Sequence, residues 1–142
     1  MNVQALNIIS DAIMPTQVHL PTEDYLILSA NGDVKTVPGG AAFWALPEAQ
    51  IDAYGRDWLV AEFEFDTDWP NWEMHPNADE LVYVLTGEAT VLLEQTSGLE
   101  SIHVQAPGLV RVPRGIWHTA KIHSAARFLH MTMGAGTQLR AV

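Results

Sequence analysis

The chain has 142 residues and carries 17 acidic side chains against seven lysines and arginines, a formal net charge of −10. This length favours a single domain, and apolar and charged fractions of 48% and 17% are ordinary for a globular protein. So acidic a chain lacks the cationic surface that binds phosphates, which argues against nucleic acid and membrane surfaces as partners. The chain has no cysteine, so any metal must be bound by nitrogen and oxygen.

The first 20 residues are predicted to form a short helix or arm. Their apolar residues recur at helical spacing until Pro15 ends the pattern. No lysine or arginine precedes them, and no run in the chain reaches the roughly 18 apolar residues that cross a bilayer. We therefore expect a soluble, cytoplasmic protein.

Residues 21–142 are predicted to form one all-β domain. Short runs of β-branched and aromatic residues alternate with Gly, Pro, Asn and Asp, which is typical of a sandwich or barrel. The runs are 25–28, 34–37, 58–65, 80–85, 89–94, 102–105, 109–112, 117–122 and 127–133. Turn sequences separate several of them, and the turn at Thr86-Gly87-Glu88 is predicted to lie inside a hairpin.

Candidate chemistry is concentrated in residues 72–80, immediately before an apolar run. This stretch holds one imidazole, His75, and three carboxylates, Glu73, Asp79 and Glu80. On an extended strand Glu73 and His75 would share a face, and the turn-prone residues 76–79 can return Glu80 to that face. The alternative is that these are solvated turn residues of an acidic protein.

A second motif, Pro113-Arg114-Gly115-Ile116-Trp117-His118, is a turn that leads into a strand. A histidine at the start of an apolar strand is more often a core residue than a ligand. The first segment, however, reads Glu-x-His-x₄-Glu-x₆-Gly from Glu73 to Gly87, and the second reads Pro-x-Gly-x₂-His. Together they match the two motifs of the cupin family in order and spacing. Over about residues 58–134 the sequence resembles a small single-domain cupin.

The resemblance implies an antiparallel double-stranded β-helix, or jelly-roll barrel, of six to eight strands around one divalent metal ion. The implied ligands are Glu73, His75, Glu80 and His118, with Glu73 standing where the family usually has its first histidine. Two imidazoles and two carboxylates suit Fe, Mn, Ni or Zn. The second carboxylate would make the ion a weaker Lewis acid. If Glu73 is not a ligand, it is placed as a catalytic general base. A metal-free binding barrel is the alternative.

Three further residues, Phe63, Val84 and His130, are predicted to line the pocket if their strand faces point into the barrel. The favoured function is an enzyme of dioxygenase, isomerase or cyclase type, acting on a small oxygen-bearing molecule chelated to the metal. The fold does not decide the reaction, and a non-catalytic binding or sensor protein is the alternative. The arm and the exposed sheet edges predict a homodimer.

Overall fold

The computed structural model describes residues 18–142, so the predicted arm over residues 1–20 lies outside them except for its last three positions. The described residues form nine strands and two short helices. The strands are β1 (Asp24–Leu28), β2 (Val34–Pro38), β3 (Trp58–Phe65), β4 (Asn71–Met74), β5 (Glu80–Gln95), β6 (Gly98–Gln105), β7 (Gly108–Val112), β8 (His118–Thr132) and β9 (Gln138–Ala141). The helices, α1 (Ala41–Trp44) and α2 (Glu48–Tyr54), lie between β2 and β3.

The strands form two layers that share the long strands β5 and β8, which pair with each other along both layers. In the first layer β7 flanks the first half of β5, and the second half of β8 leads to β3, β1 and β2. In the second layer β6 flanks the rest of β5, and the start of β8 leads to β4 and β9. Every pairing is antiparallel, which confirms the predicted all-β jelly-roll class. Within the described residues the strand order has free ends at β2 and β9, so the sheet is not closed.

The hairpin predicted at Thr86-Gly87-Glu88 is wrong, because the runs on either side are two halves of the continuous strand β5. Its register with β8 shifts between Val84 and Ala89, and these bulges bend β5 from one layer into the other. Gly87 has a φ of +86°, and a Cβ atom there would collide with the carbonyl oxygen of Ala125. The bend therefore requires glycine.

The inner faces of the two layers bury a shared apolar core. Alternate residues of β5 point inward from both halves of the strand, and Phe128 of β8 is fully buried among them. The cluster comprises Trp69, Val82, Val84, Ala89, Val91, Leu93, Val104, Val110, Val112, Ala120, Ala126 and Phe128. Burial of large side chains on both layers holds the layers together.

The two helices, which the sequence did not predict, add a second apolar cluster against β1 and β3. Phe43 of α1 packs on Tyr25 with ring centroids 5.2 Å apart, and Tyr54 of α2 stacks on Phe43 at 6.1 Å. Helices of four and seven residues are too short to show a helical period in the sequence. In residues 18–142 no helix has the length and apolar content needed to cross a membrane.

Removal of the Phe43 ring is expected to destabilise the fold. Phe43 is 1% exposed, and the Phe43→Ala variant should lose about 3 kcal/mol of unfolding free energy, as is common for buried Phe→Ala changes. Urea unfolding followed by circular dichroism measures this loss. The neighbouring Trp44 is 52% exposed, so Trp44→Ala should lose about 1 kcal/mol or less. Equal losses in the two variants would show that α1 does not anchor the second cluster.

Candidate metal centre

The ends of three strands bring the four predicted ligands together. Glu73 lies on β4 and pairs directly with His118, the first residue of β8, so the two side chains share a face. His75 follows the end of β4, and Glu80 begins β5. The intervening turn is fixed by Asp79, whose Oδ1 accepts a hydrogen bond of 2.9 Å from a backbone N–H. The turn thus restores Glu80 to the side of His75, as the sequence predicted.

Donor atoms of these four residues converge on one point. Nε2 of His75 lies 3.2 Å from Oε2 of Glu80 and 3.7 Å from Oε2 of Glu73. Nε2 of His118 lies 3.1 Å from Oε1 of Glu80 and 4.0 Å from Oε2 of Glu73. His75, Glu80 and His118 are buried, whereas Glu73 is partly exposed. Glu80 is therefore the closer carboxylate to both imidazoles.

The outer nitrogen of each imidazole has a partner that fixes the orientation of the ring. The Thr137 hydroxyl donates to a backbone carbonyl, so its oxygen accepts the Nδ1–H of His75 at 2.7 Å. Nδ1 of His118 donates to the carbonyl of Ile116 at 3.1 Å. In a neutral ring Nε2 then carries a lone pair that faces carboxylate oxygens. Since lone pairs repel, this arrangement calls for a positive charge between the nitrogens and the oxygens, supplied either by a proton that Nε2 donates to the carboxylate or by a bound cation.

Glu80 provides a buried negative charge at the centre of the group. Burial disfavours its ionised form, but hydrogen bonds from His118 and His130 and the close approach of the His75 ring outweigh burial and hold the pKa of Glu80 well below the ordinary value. The hydroxyl of Thr132 also donates to Oε2 of Glu80 at 2.5 Å. Burial lowers the pKa of His118, but the hydrogen bond and charge of Glu80 outweigh this effect, and the pKa is raised. A cation is therefore stabilised at this point.

The donor set fits a divalent transition metal ion. Donor separations of 3.1 to 4.0 Å are those of atoms that share one ion at bond lengths of about 2.1 Å. Nε2 of His75 is buried without a hydrogen-bond partner in residues 18–142, which leaves it free to bind an ion. Over the same residues, Glu73, His75 and His118 are the one group whose donor atoms, taken one per residue, all lie within 4.8 Å of one another. Glu80 is not a member of that group, and it faces the two imidazoles with different oxygens, Oε2 toward His75 and Oε1 toward His118.

A cavity of about 640 Å³ opens onto Glu73, His75 and Glu80, between the sheet and the two helices. Two of the predicted pocket residues, Phe63 and His130, line it, with ring centroids 5.1 Å apart. Nδ1 of His130 also lies 3.5 Å from Oε2 of Glu80, so this ring borders the metal centre.

Val84 does not line the cavity, contrary to the expectation for its strand face. It is 0% exposed and belongs to the core cluster, paired with Phe128. Val84 points inward like Glu80 but lies four residues further along β5, about 13 Å from Glu80 and deeper in the barrel. Strand periodicity correctly predicted the face on which Val84 lies, but it could not predict how deep in the barrel the side chain is.

Sequence reasoning missed two hydroxyl residues of the site, Thr132 and Thr137. Thr132 lies two residues after His130, and the strand period places it on the same face, which was a signal that could have assigned it to the site. Thr137 lies in the connection between β8 and β9, where periodicity carries no information. The ring of Trp69 also borders the site, 6.1 Å from that of His118.

Comparisons with known proteins give a likeness of fold. No protein family and no curated protein matches the chain. Among solved structures, Peruvianin-I, a cysteine peptidase from Thevetia peruviana latex, is similar at a TM-score of 0.51 and 16% identity over 60% of this chain and 56% of that one. A recombinant oxalate oxidase in complex with glycolate is similar at 0.49 and 21% identity, over 57% of this chain and 45% of that one.

A cupin-2 domain protein from Shewanella frigidimarina is similar at a TM-score of 0.45 and 16% identity, over 58% of this chain and 71% of that one. The chain thus spans about half the length of the first two structures. At such identities the likeness concerns the fold alone, and this chain has no cysteine with which to act as a cysteine peptidase. Together the antiparallel pairing of the strands in two layers and the meeting of both motifs at one end of them show the cupin fold.

Proposed function

We propose that the chain is a metal-dependent cupin enzyme that binds one divalent ion, Fe, Mn, Ni or Zn, and acts on a small oxygen-bearing organic molecule. The observation that carries this proposal is the orientation of His75 and His118, whose Nδ1 atoms are both occupied while both Nε2 atoms face ionisable carboxylates. Hydrogen bonds to the outer ring nitrogen orient imidazoles toward a metal in this way. The adjoining cavity supplies the space for a ligand.

We assign Glu73, His75, Glu80 and His118 as the residues that hold the ion. A bound ion would act as a Lewis acid toward an oxygen of the ligand. Thr132 and His130 hold Glu80 in place through its Oε2 atom. Glu73 is the partly exposed member and lines the cavity, so it also lies where a proton of the ligand could be accepted. The two roles of Glu73 are separable by experiment.

Glu73→Gln is expected to lower the affinity for Zn²⁺ or Mn²⁺ by about ten-fold or more, because the variant removes a charged ligand and keeps the size of the side chain. Titration calorimetry on the metal-free chain measures the affinity, and plasma mass spectrometry measures the stoichiometry. Glu100→Gln, at an exposed position of β6, is the matched control and should leave both unchanged. An unchanged affinity in Glu73→Gln would limit the ligands to His75, Glu80 and His118 and assign Glu73 to proton transfer.

Turnover distinguishes an enzyme from a binding protein. The metal-loaded chain is incubated with hydroxylated and carbonyl-bearing compounds in air, while oxygen consumption and products are followed. Consumption that requires the metal supports an enzyme of dioxygenase type, and a rearranged product without oxygen consumption supports an isomerase or cyclase. Tight binding of compounds with neither change would favour the sensor alternative. The homodimer, the cytoplasmic location and the absence of nucleic-acid and membrane partners stay predictions.

A further inference from the structure

The cavity that opens onto the metal centre is lined by carboxylates and by no cationic side chain. The carboxylates are Glu48, Asp52, Glu73 and Glu80. All seven lysines and arginines of the chain lie within the described residues, and none of them lines the cavity. Glu48 and Asp52, on α2, are exposed and mark the mouth, whereas Glu80 is buried at the floor. Negative charge therefore extends from the entrance to the metal centre.

A divalent ion in the proposed centre would not reverse the negative charge of the cavity. A divalent ion offsets two of the four carboxylates, which leaves the cavity with a net charge of about −2 while the histidines are neutral. Charges in a site with low-dielectric walls act on one another more strongly than in water. An anionic ligand would be repelled at the mouth and again beside Glu73, and no arginine or lysine of the lining would compensate.

Aromatic rings form a continuous wall from the mouth of the cavity to the metal centre. Trp44, exposed at the mouth, lies 6.4 Å from Phe63, measured between ring centroids. Phe63 lies 6.3 Å from Phe65, and Phe65 lies 5.4 Å from Trp69. The ring of Trp69 in turn approaches His118. Such a wall contacts the faces of a flat ring and also favours positive charge through cation–π attraction.

We propose that the ligand of this centre is a flat aromatic compound, uncharged or cationic, that reaches the metal through neutral oxygen groups such as hydroxyls, and that carboxylates are selected against. This inference rests on the proposed function, because the oxygen groups require a bound metal. It adds the charge and shape of the compound that binds, which the metal-binding residues by themselves do not specify. Small dicarboxylates such as oxalate are excluded on both grounds, since they are anionic and offer no ring to the aromatic wall.

Three probes that share one pair of adjacent hydroxyls and differ in charge test the proposal. These are 4-methylcatechol, which is neutral, dopamine, which is cationic, and 3,4-dihydroxybenzoate, which is anionic. The full chain is loaded with Zn²⁺, which has no redox chemistry, and titrated without oxygen at low ionic strength. We expect 3,4-dihydroxybenzoate to bind about ten-fold more weakly than 4-methylcatechol, and dopamine to bind at least as tightly. The difference in affinity between 3,4-dihydroxybenzoate and 4-methylcatechol should become smaller in about 1 M salt, which screens the exposed carboxylates.

The double variant Glu48→Gln, Asp52→Asn should reduce the difference in affinity between the neutral and the anionic probe, because it removes both negative charges at the mouth of the cavity. Asn keeps the oxygen that accepts the 3.3 Å hydrogen bond from Gly136. Glu100→Gln, which removes an exposed carboxylate outside the cavity lining, is the matched control and should leave the difference unchanged. Trp44→Ala should weaken the binding of all three probes, and that of dopamine at least as much as that of the other two.

Several results would overturn the inference while leaving the metal centre intact. One is equal binding of 3,4-dihydroxybenzoate and 4-methylcatechol to the Zn²⁺-loaded chain. Another is tight binding of oxalate, and a third is failure of all three ring compounds to bind a chain that holds Zn²⁺. Failure of the chain to take up Zn²⁺ would instead contradict the proposed function, so the two failures are distinguishable.

Discussion

His118→Ala is expected to reduce the metal content of the purified chain from about one ion to near zero, with an affinity loss of about 100-fold or more. The imidazole is 0% exposed and is fixed through Nδ1 by the carbonyl of Ile116. Its Nε2 faces both carboxylates of the candidate centre. Mass spectrometry of the metal, together with titration of the metal-free protein, measures the loss.

His103→Ala is the matched control for this prediction. His103 is an exposed histidine on β6 that contacts Glu88 on the outer side of the sheet, so its removal should leave metal content unchanged. Circular dichroism of both variants reports whether the fold is retained. Should His118→Ala fail to fold, His118→Gln keeps a polar side chain in the buried position. A full complement of metal in either folded variant would contradict the proposed centre.

Gly87→Ala is expected to lose about 4 kcal/mol of unfolding free energy, among the largest single-residue effects in this chain. A Cβ atom at this position would lie 2.7 Å from Cα of Ala126 and would collide with the carbonyl of Ala125, both of which are backbone of β8. The backbone cannot move aside without breaking the pairing of β5 with β8, on which both layers depend. Denaturant unfolding measures the loss.

Gly32→Ala separates this steric effect from the strain of the backbone angle. Gly32 has a φ of +94°, close to that of Gly87, but a Cβ atom there would meet nothing within 4 Å. Alanine at this position should therefore cost only about 1 to 2 kcal/mol. Similar losses in the two variants would mean that φ alone, and not the close approach of β8, makes glycine necessary at position 87.

The candidate metal ligands could be predicted because each belongs to a short sequence motif. The spacing of Glu73 and His75 places both on one face of a strand, and the turn chemistry of residues 76–79 allows Glu80 to return to that face. His118 was assigned by the resemblance of the second motif to that of the cupin family, and the structure places all four side chains together. Which oxygen lies nearest to each imidazole was not predictable, because it depends on Thr132 and Thr137, which approach from other strands and loops.

The bend at Gly87 shows where prediction of the fold from neighbouring residues fails. Thr-Gly-Glu has the composition of a hairpin turn, and a glycine with positive φ serves equally in a turn or in a bulge. Only the close approach of Ala125 and Ala126 on β8 selects the bulge, and those residues are nearly 40 positions away in the chain. The two helices were missed for a related reason, because Phe43 is held by burial against Tyr25 and not by helical periodicity.

The sequence by itself determined the all-β class, the strand faces and the acidic charge, because each follows from composition or from spacing within a few residues. The candidate metal ligands came from the resemblance of two short motifs to those of the cupin family. Only the tertiary structure decided the open two-layer sheet, the depth of Val84 in the core, and the acidic, aromatic-walled cavity in front of the ligands. These features arise where distant segments pack against one another. Their geometry is set by long-range burial and backbone contact, which no short stretch of sequence encodes.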